Sequence, residues 1–268
     1  MTFLRKIAGI RGALRDPERI DALDVLISTG VKGVADLIGV GLDENRDGRE
    51  RAMAVWALGE LQARAATVPL LRLLDQPDRK LSYHAAASLI GIGNQTIVPI
   101  LCRFAVDSPH WPCRAGAVWI LRELVDRTAR PVLIQALLKD SNPTVRKEAA
   151  VSLVSYPGKR TYMALAEALS DPVPTVRDAS VFAVGCLSSK SGVEVTQGGL
   201  RKLVRDRSVG RWGTIGSHAR DTVRAVSEYL AERQRRHKTQ VTSGGIRRQR
   251  ATKPRNCNRS SGTGRNPI

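Results

Sequence analysis

Four histidines, His84, His110, His218 and His237, make up the chain's supply of side chains that titrate near neutrality, and none is followed by Glu. The cysteines Cys102, Cys113, Cys186 and Cys257 are scattered, with no CxxC pair and no His at ligand spacing. That argues against a zinc site and a disulfide framework, and it fits a reducing compartment. No Ser-His-Asp arrangement, glycine-rich phosphate loop or metal spacing stands in the sequence. These residues predict no catalytic centre, no metal and no cofactor.

What the chain has in quantity is positive charge. There are 43 Lys and Arg against 25 Asp and Glu, a formal net charge of +18. Residues 233–268 hold 11 of the basic residues and no acid, so the remaining 32 face all 25 acids and leave +7. The tail is therefore a candidate polyanion-binding arm, with Arg247, Arg248, Arg250, Lys253 and Arg255 as sequence-independent phosphate contacts. From about Gln234 apolar residues almost vanish, and the composition predicts disorder over 234–268.

Self-similarity organises the rest. Leu26, Leu58, Leu89, Leu121, Leu153 and Val184 are spaced 32, 31, 32, 32 and 31 residues apart. Four residues before each anchor stand Ala22, Ala54, Ala85, Ala117, Ala149 and Ser180. Three before come Leu23, Val55, Ala86, Val118, Ala150 and Val181; eight before, the later copies carry Leu81, Cys113, Val145 and Val176. These offsets share one helical face, and the recurring small residue lets a neighbouring helix come close. A second apolar segment follows each anchor, with spaced pairs at Leu70/Leu74, Ile100/Phe104, Leu133/Leu137 and Leu165/Leu169. Pro69, Pro99 and Pro131 fall near its start, where proline costs no hydrogen bond. Each unit is helix, turn, helix and a loop ending in Asp, and it buries its face only by stacking. Aromatics are 4% of residues against 42% hydrophobic, a composition that suits closely packed helices.

A polar column shares the register. Arg19, Arg51, Arg114, Arg146 and Arg177 stand seven residues before their anchors, with Ser82 as the break. Acids lie in the preceding loops: Asp75, Asp107, Asp140 and Asp171. A phosphate stripe is one reading of the column. The other is a structural ladder in which each Arg forks onto loop carboxylates or carbonyls of its own or the adjacent repeat. An acid recurring beside the Arg favours the ladder, with Arg146 on Asp140 and Arg177 on Asp171.

The run from Asn142 through Pro143, Val145, Arg146, Ala149 and Ala150 to Leu153 resembles HEAT repeats, and more closely the short HEAT-like repeats of phycobilisome lyases. Its Pro-x-Val-Arg element recurs as Pro174-Thr175-Val176-Arg177. The resemblance implies a right-handed all-α solenoid of about six two-helix repeats. It covers the array over 17–207; the residue pattern adds a capping helix over 1–16, a loop and terminal cap over 208–233, and the tail. Similar proteins include deoxyhypusine hydroxylases, whose iron is held by His-Glu pairs absent here, and bilin lyases. Cys113 is the thiol available for lyase chemistry, but its place in the apolar column makes it a buried small hydrophobe.

In such arrays the second helices usually line the concave side. There this chain offers Arg72, Cys102, Gln135 and Glu167, a mixed column unlike the consistently basic groove that a duplex requires. Trp56 and Trp119 share a position otherwise aliphatic, which reads as inter-repeat packing, and Trp111 is the tryptophan expected at the surface. The N-terminus forms a basic amphipathic helix read as a cap, and no apolar run is long enough to span a bilayer. The sequence thus predicts a cytoplasmic, non-enzymatic scaffold that holds a protein or peptide partner through Arg72, Arg103, Trp111, Gln135 and Glu167. A nucleic-acid-associated protein acting through its tail is the alternative, and an accessory of the bilin-lyase type the third.

Overall fold

The computed structural model describes residues 3–13, 17–28, 30–211 and 213–251. It divides into two units, Met1–Val226 and Ser227–Ile268. Helix α1 spans Phe3–Ala13. Six pairs follow it: α2 (Pro17–Ser28) and α3 (Val34–Leu42), α4 (Gly48–Glu60) and α5 (Thr67–Leu74), α6 (Arg79–Ile92) and α7 (Val98–Asp107). Then come α8 (Trp111–Leu124) and α9 (Arg130–Lys139), α10 (Pro143–Ser152) and α11 (Lys159–Ala168), α12 (Pro174–Cys186) and α13 (Gln197–Leu203). Strands β1 (Val209–Gly210) and β2 (Gly213–Thr214) precede the last helix, α14 (Ile215–Ala251).

Local chemistry sets the helix starts. Asp47, Asp78 and Asn142 cap α4, α6 and α10, each accepting a main-chain N–H two residues on at 2.8 Å. Pro112, Pro143 and Pro174 open α8, α10 and α12, where a proline's missing N–H has no intrahelical partner to lose. Helix α6 stops at Gly93 and α8 at Val125, both in the left-handed region. Gln62 adopts the same sign of φ after α4, so three successive copies turn at one repeat position and only one uses glycine.

The first unit is an α-solenoid. The first helices stack in order, α2 on α4, α4 on α6, α6 on α8, α8 on α10 and α10 on α12, and each second helix packs against the first helix of the next pair. From Leu58 to Val184 the anchors are buried, as are the residues three and four positions before them, and so are Leu81, Cys113, Val145 and Val176 eight before the later anchors. The side chains of Leu26 and Arg19 lie outside the described residues. In the second helices Leu70/Leu74, Leu133/Leu137 and Leu165/Leu169 are buried. In α7 the buried pair is Leu101/Ala105 rather than Ile100/Phe104, which are half-buried. Leu101 lies twelve residues after its anchor, as Leu70, Leu133 and Leu165 do after theirs.

At the N-terminal end Ile7 is buried, and Arg11 of α1 forks onto Asp24 of α2 with two contacts of 2.7 Å. At the other end the stretch read as a loop contains a tight antiparallel hairpin, Val209 opposite Thr214 and Gly210 opposite Gly213. Asp178 of α12 holds it, accepting the Arg211 N–H at 2.8 Å; a Cβ on Gly210 would meet that carboxylate at 2.4 Å. The final helix starts at Ile215 rather than His218, because Ile215 is itself buried.

Helix α14 continues to Ala251, past Gln234, where the sequence places the onset of the tail. Strong helix formers such as Ala231, Glu232 and Arg233, and the Arg236–Glu232 pair one turn apart, support the helical backbone of the second unit. Residues 252–268, with Lys253, Arg255 and Cys257, lie outside the described residues, as do the side chains of Arg247, Arg248 and Arg250.

Candidate binding surfaces

The arginine column and the loop acids meet across repeats. Arg114 Nε and Nη2 donate to the Asp140 carboxylate at 2.7 and 2.9 Å, while Nη1 donates to the Ser108 carbonyl at 2.9 Å. Arg146 forks onto Asp171 at 2.8 and 3.1 Å and reaches the Asp140 carbonyl at 2.9 Å. Arg177 donates to Asp206 at 2.9 Å, to Ser208 Oγ at 3.2 Å and to the Asp171 carbonyl at 2.9 Å. The pairings expected from the sequence, Arg146 with Asp140 and Arg177 with Asp171, are therefore one loop off. Six residues of separation bring each Arg to its own loop's carbonyl, and the carboxylate it forks onto comes from the following loop. Asp140 and Asp171 thus each serve two arginines, by carboxylate and by carbonyl.

One rung is built differently. Ser82 replaces the Arg and donates to the Leu74 carbonyl at 3.1 Å. Ser108 stands at the loop position held elsewhere by Asp140 and Asp171, and it donates to Asp75 at 2.6 Å. Arg51, one rung earlier, reaches the Gly41 carbonyl at 3.2 Å, and its Nη2 is buried without a hydrogen-bond partner.

Concave surfaces among the described residues include two on opposite helix layers. The first is a groove of about 630 Å³ on the second-helix side, between α9 and α11. Arg127, Arg130 and Arg160 surround Ile134, Leu138 and Met163, and Glu167 is its one acid. Met163 is 55% exposed, while Arg130 Nε is buried with no hydrogen-bond partner. The second surface is a notch of about 310 Å³ on the first-helix side, where α6, α8 and α10 meet. Tyr83 stacks on Trp119 with centroids 5.2 Å apart and planes 23° from parallel, and the Arg79 guanidinium sits 5.6 Å above the Trp111 ring.

Among the residues anticipated from sequence, Glu167 lines the groove and Trp111 the notch, on opposite helix layers. Correcting the α7 register makes the second-helix column Arg72, Arg103, Gln135 and Glu167, all exposed. Trp111 and Trp119 are both half-buried, so Trp119 is partly open as well as packed. Sequence reasoning missed Arg79 and Tyr83, and also Arg127, Arg130 and Arg160. The signal for the notch was Trp111-Ala115-Trp119, two indoles four residues either side of a methyl group. For the groove it was basic residues at the starts of two successive second helices.

Cys113 is buried, and that burial pushes its thiol up to about 12, so little thiolate exists near neutrality. Cys102, Cys113 and Cys186 are free thiols. Among the described residues no group of three His, Cys, Asp or Glu is placed to hold a metal, and no helix is long and apolar enough to cross a membrane.

A family model described as HEAT repeats matches residues 35–122 and 98–185, together more than half of the chain. Solved structures similar to it include a designed armadillo repeat protein, at 15% identity and a TM-score of 0.44, covering 72% of this chain and 100% of that one. The complex of CpcE and CpcF of phycocyanin lyase from Nostoc sp. PCC7120 is 20% identical with a TM-score of 0.42, covering 84% of this chain and 95% of that one. Human deoxyhypusine hydroxylase in complex with glycerol is 20% identical with a TM-score of 0.34, covering 83% of this chain and 85% of that one. No curated protein matches the chain.

Proposed function

Because the chain belongs to the HEAT-repeat family, we propose that it is a protein-interaction scaffold that holds a partner segment on the face formed by its second helices. The groove between α9 and α11 carries this reading. Three guanidinium groups around an apolar floor suit an acidic peptide bearing one or two apolar anchors. Arg130 supports it further: it lines the groove beside Arg127 and Arg160, and a carboxylate entering there meets three guanidinium donors. The exposed Met163 supplies an adaptable apolar contact, and Arg72, Arg103 and Gln135 extend the same face. The free cysteines suit a cytoplasmic location. The basic tail is the second reading: it is an electrostatic arm for a polyanion, independent of the groove.

The test is retention of a partner from nuclease-treated native lysate by the intact chain, by Met163→Glu with Arg160→Glu, and by a chain ending at Glu232. The groove reading expects the same partner on the first and third baits and its loss from the second, with the circular dichroism of the first two alike. Capture indifferent to the groove substitutions would overturn it. If the partner is lost only with the tail, the second reading stands instead.

A further inference from the structure

The notch on the first-helix side is a separate surface, and its chemistry differs from that of the groove. Trp111, Trp119 and Tyr83 line it; Arg79, Arg122 and Lys147 supply cations at its edge, and Glu148 is the one carboxylate in the lining. The repeat register explains how it forms. Trp111 and Trp119 stand ten and two residues before their anchor on one stripe of α8, with Ala115 between them. Ala115 leaves the space that a larger side chain would fill. Tyr83, six before the previous anchor, closes the slot from α6 by stacking on Trp119.

The charges set the class of ligand. Quaternary ammonium groups are disfavoured, because aromatic cages for them need a rim without competing cations. A bare phosphate has no use for three aromatic faces, and an uncharged aromatic has none for three cations. Arg122 pairs with Glu123 at 2.9 Å and Lys147 with Glu148 at 3.2 Å, both in partly exposed pairs that bind weakly and can re-aim. Among the described residues no carboxylate pairs with Arg79, whose guanidinium rests on the Trp111 face. We propose that the notch is a nucleotide site: a nucleobase stacks on the exposed side of Tyr83, extending the Tyr83–Trp119 stack, and its phosphate is taken by Arg79 with Arg122 and Lys147. The cavity of about 310 Å³ is at the small end of the range for ligand pockets, roughly 300–1,000 Å³, so it suits one nucleotide rather than a duplex. That nucleotide is either free or one unit of a single strand.

Titration of the intact chain with 5′-AMP, adenosine, inorganic phosphate and a single-stranded oligo(A) octamer tests this, read by tryptophan fluorescence and calorimetry. Tyr83 and Arg79 are both exposed, so Tyr83→Ser and Arg79→Ser leave the fold intact. The site requires that 5′-AMP bind more tightly than adenosine or phosphate. Tyr83→Ser should weaken 5′-AMP by about tenfold, the loss of one stacking face. Arg79→Ser should weaken 5′-AMP while leaving adenosine unchanged. An octamer binding far more tightly than 5′-AMP, and losing that advantage in Tyr83→Ser, identifies a single strand as the source; equal affinities identify the free nucleotide. Arg247→Gln with Arg248→Gln and Arg250→Gln removes tail binding from the octamer curve and should leave 5′-AMP untouched. No binding of 5′-AMP or octamer, or binding indifferent to Tyr83→Ser and Arg79→Ser, overturns the proposal. Loss of a protein partner in these two variants without any nucleotide binding would do the same, and would make the notch part of a protein interface.

Discussion

Neighbouring repeats are joined in two ways within one array. Between α4 and α6 the join is close approach: a Cβ on Gly59 would lie 2.7 Å from the Ser88 Cα, and Ser88 Oγ donates to the Val55 carbonyl at 2.7 Å. From α8 onward an electrostatic join is added, Arg114, Arg146 and Arg177 each tying two loops together, while Ser152 Oγ still donates to the Val118 carbonyl at 3.3 Å. The rung between these regions has lost both of its charged ends, Ser82 for Arg and Ser108 for Asp, and a hydrogen bond from the Ser108 hydroxyl to the Asp75 carboxylate remains. The lesson concerns pairing. At this rung the guanidinium and the carboxylate are given up together, whereas Arg51 has kept its guanidinium without a carboxylate and is left with a buried Nη2 that has no partner.

Breaking the electrostatic join should have the largest effect. Arg146→Ala leaves Asp171, whose side chain is 9% exposed, without its fork and strips a donor from the Asp140 carbonyl. The expected loss is about 3 kcal/mol, read by urea unfolding, with the nucleic-acid affinity unchanged. Arg146→Ala with Asp171→Asn should recover part of it. A variant that melts normally but loses polyanion binding would return the column to a phosphate-binding role.

Breaking the close-approach join comes next. Gly59→Ala pushes a methyl group into the Ser88 main chain, and overpacking of this kind costs roughly 1–3 kcal/mol. Thermal melting measures it; an unchanged midpoint would show that α4 and α6 have slack. A smaller effect of opposite sign is expected at Val125, a β-branched residue at φ 51° and 52% exposed. Val125→Gly relieves that strain but frees the unfolded chain, and the net gain should be about 0.5–1 kcal/mol. The same substitution at Gln62 should behave similarly, because it occupies the same repeat position.

The smallest effect is expected at the last rung, as a pH dependence. Burial works to raise the Asp206 carboxyl, but the Ser208 amide, the Arg177 guanidinium and the Ser208 hydroxyl outweigh it and hold the group below its usual range. A carboxylate depressed in the folded state adds stability above its unfolded value, near 3.9, and loses it as the pH falls through the lower folded value. Acid titration of the unfolding free energy should therefore show a component over that window that is missing in Asp206→Asn.

Much of the array is legible in the sequence because burial follows a helical period repeated at a nearly fixed interval: the small residues Ala54, Ala85, Ala117 and Ala149 and their anchors are buried as the spacing requires. Residues brought together from different repeats are harder to read. Arg146 finds Asp171 across 25 residues, a distance no helical period predicts, whereas the nearer Asp140 looks the natural partner. The notch was obscured for the same reason, since Tyr83 and Trp119 sit at different offsets in different copies. In α7 one residue of drift misassigned the buried face, because Ile100 and Leu101 are both apolar and only packing chooses between them. The groove escaped notice because its arginines lie just before or at the starts of α9 and α11, outside the repeating columns.

The ladder also bears on how such a chain can change length. Each loop Asp takes its carboxylate donor from the repeat before and lends its carbonyl to its own repeat. Excising residues 140–170 would remove one acceptor, Asp140, together with one donor, Arg146, and would bring Asp171 to the separation from Arg114 that Asp140 now has. Duplicating the same stretch would add one of each. Gain or loss of whole repeats in this register leaves no charge stranded, so the array can be shortened or extended by recombination within its later half without first being redesigned.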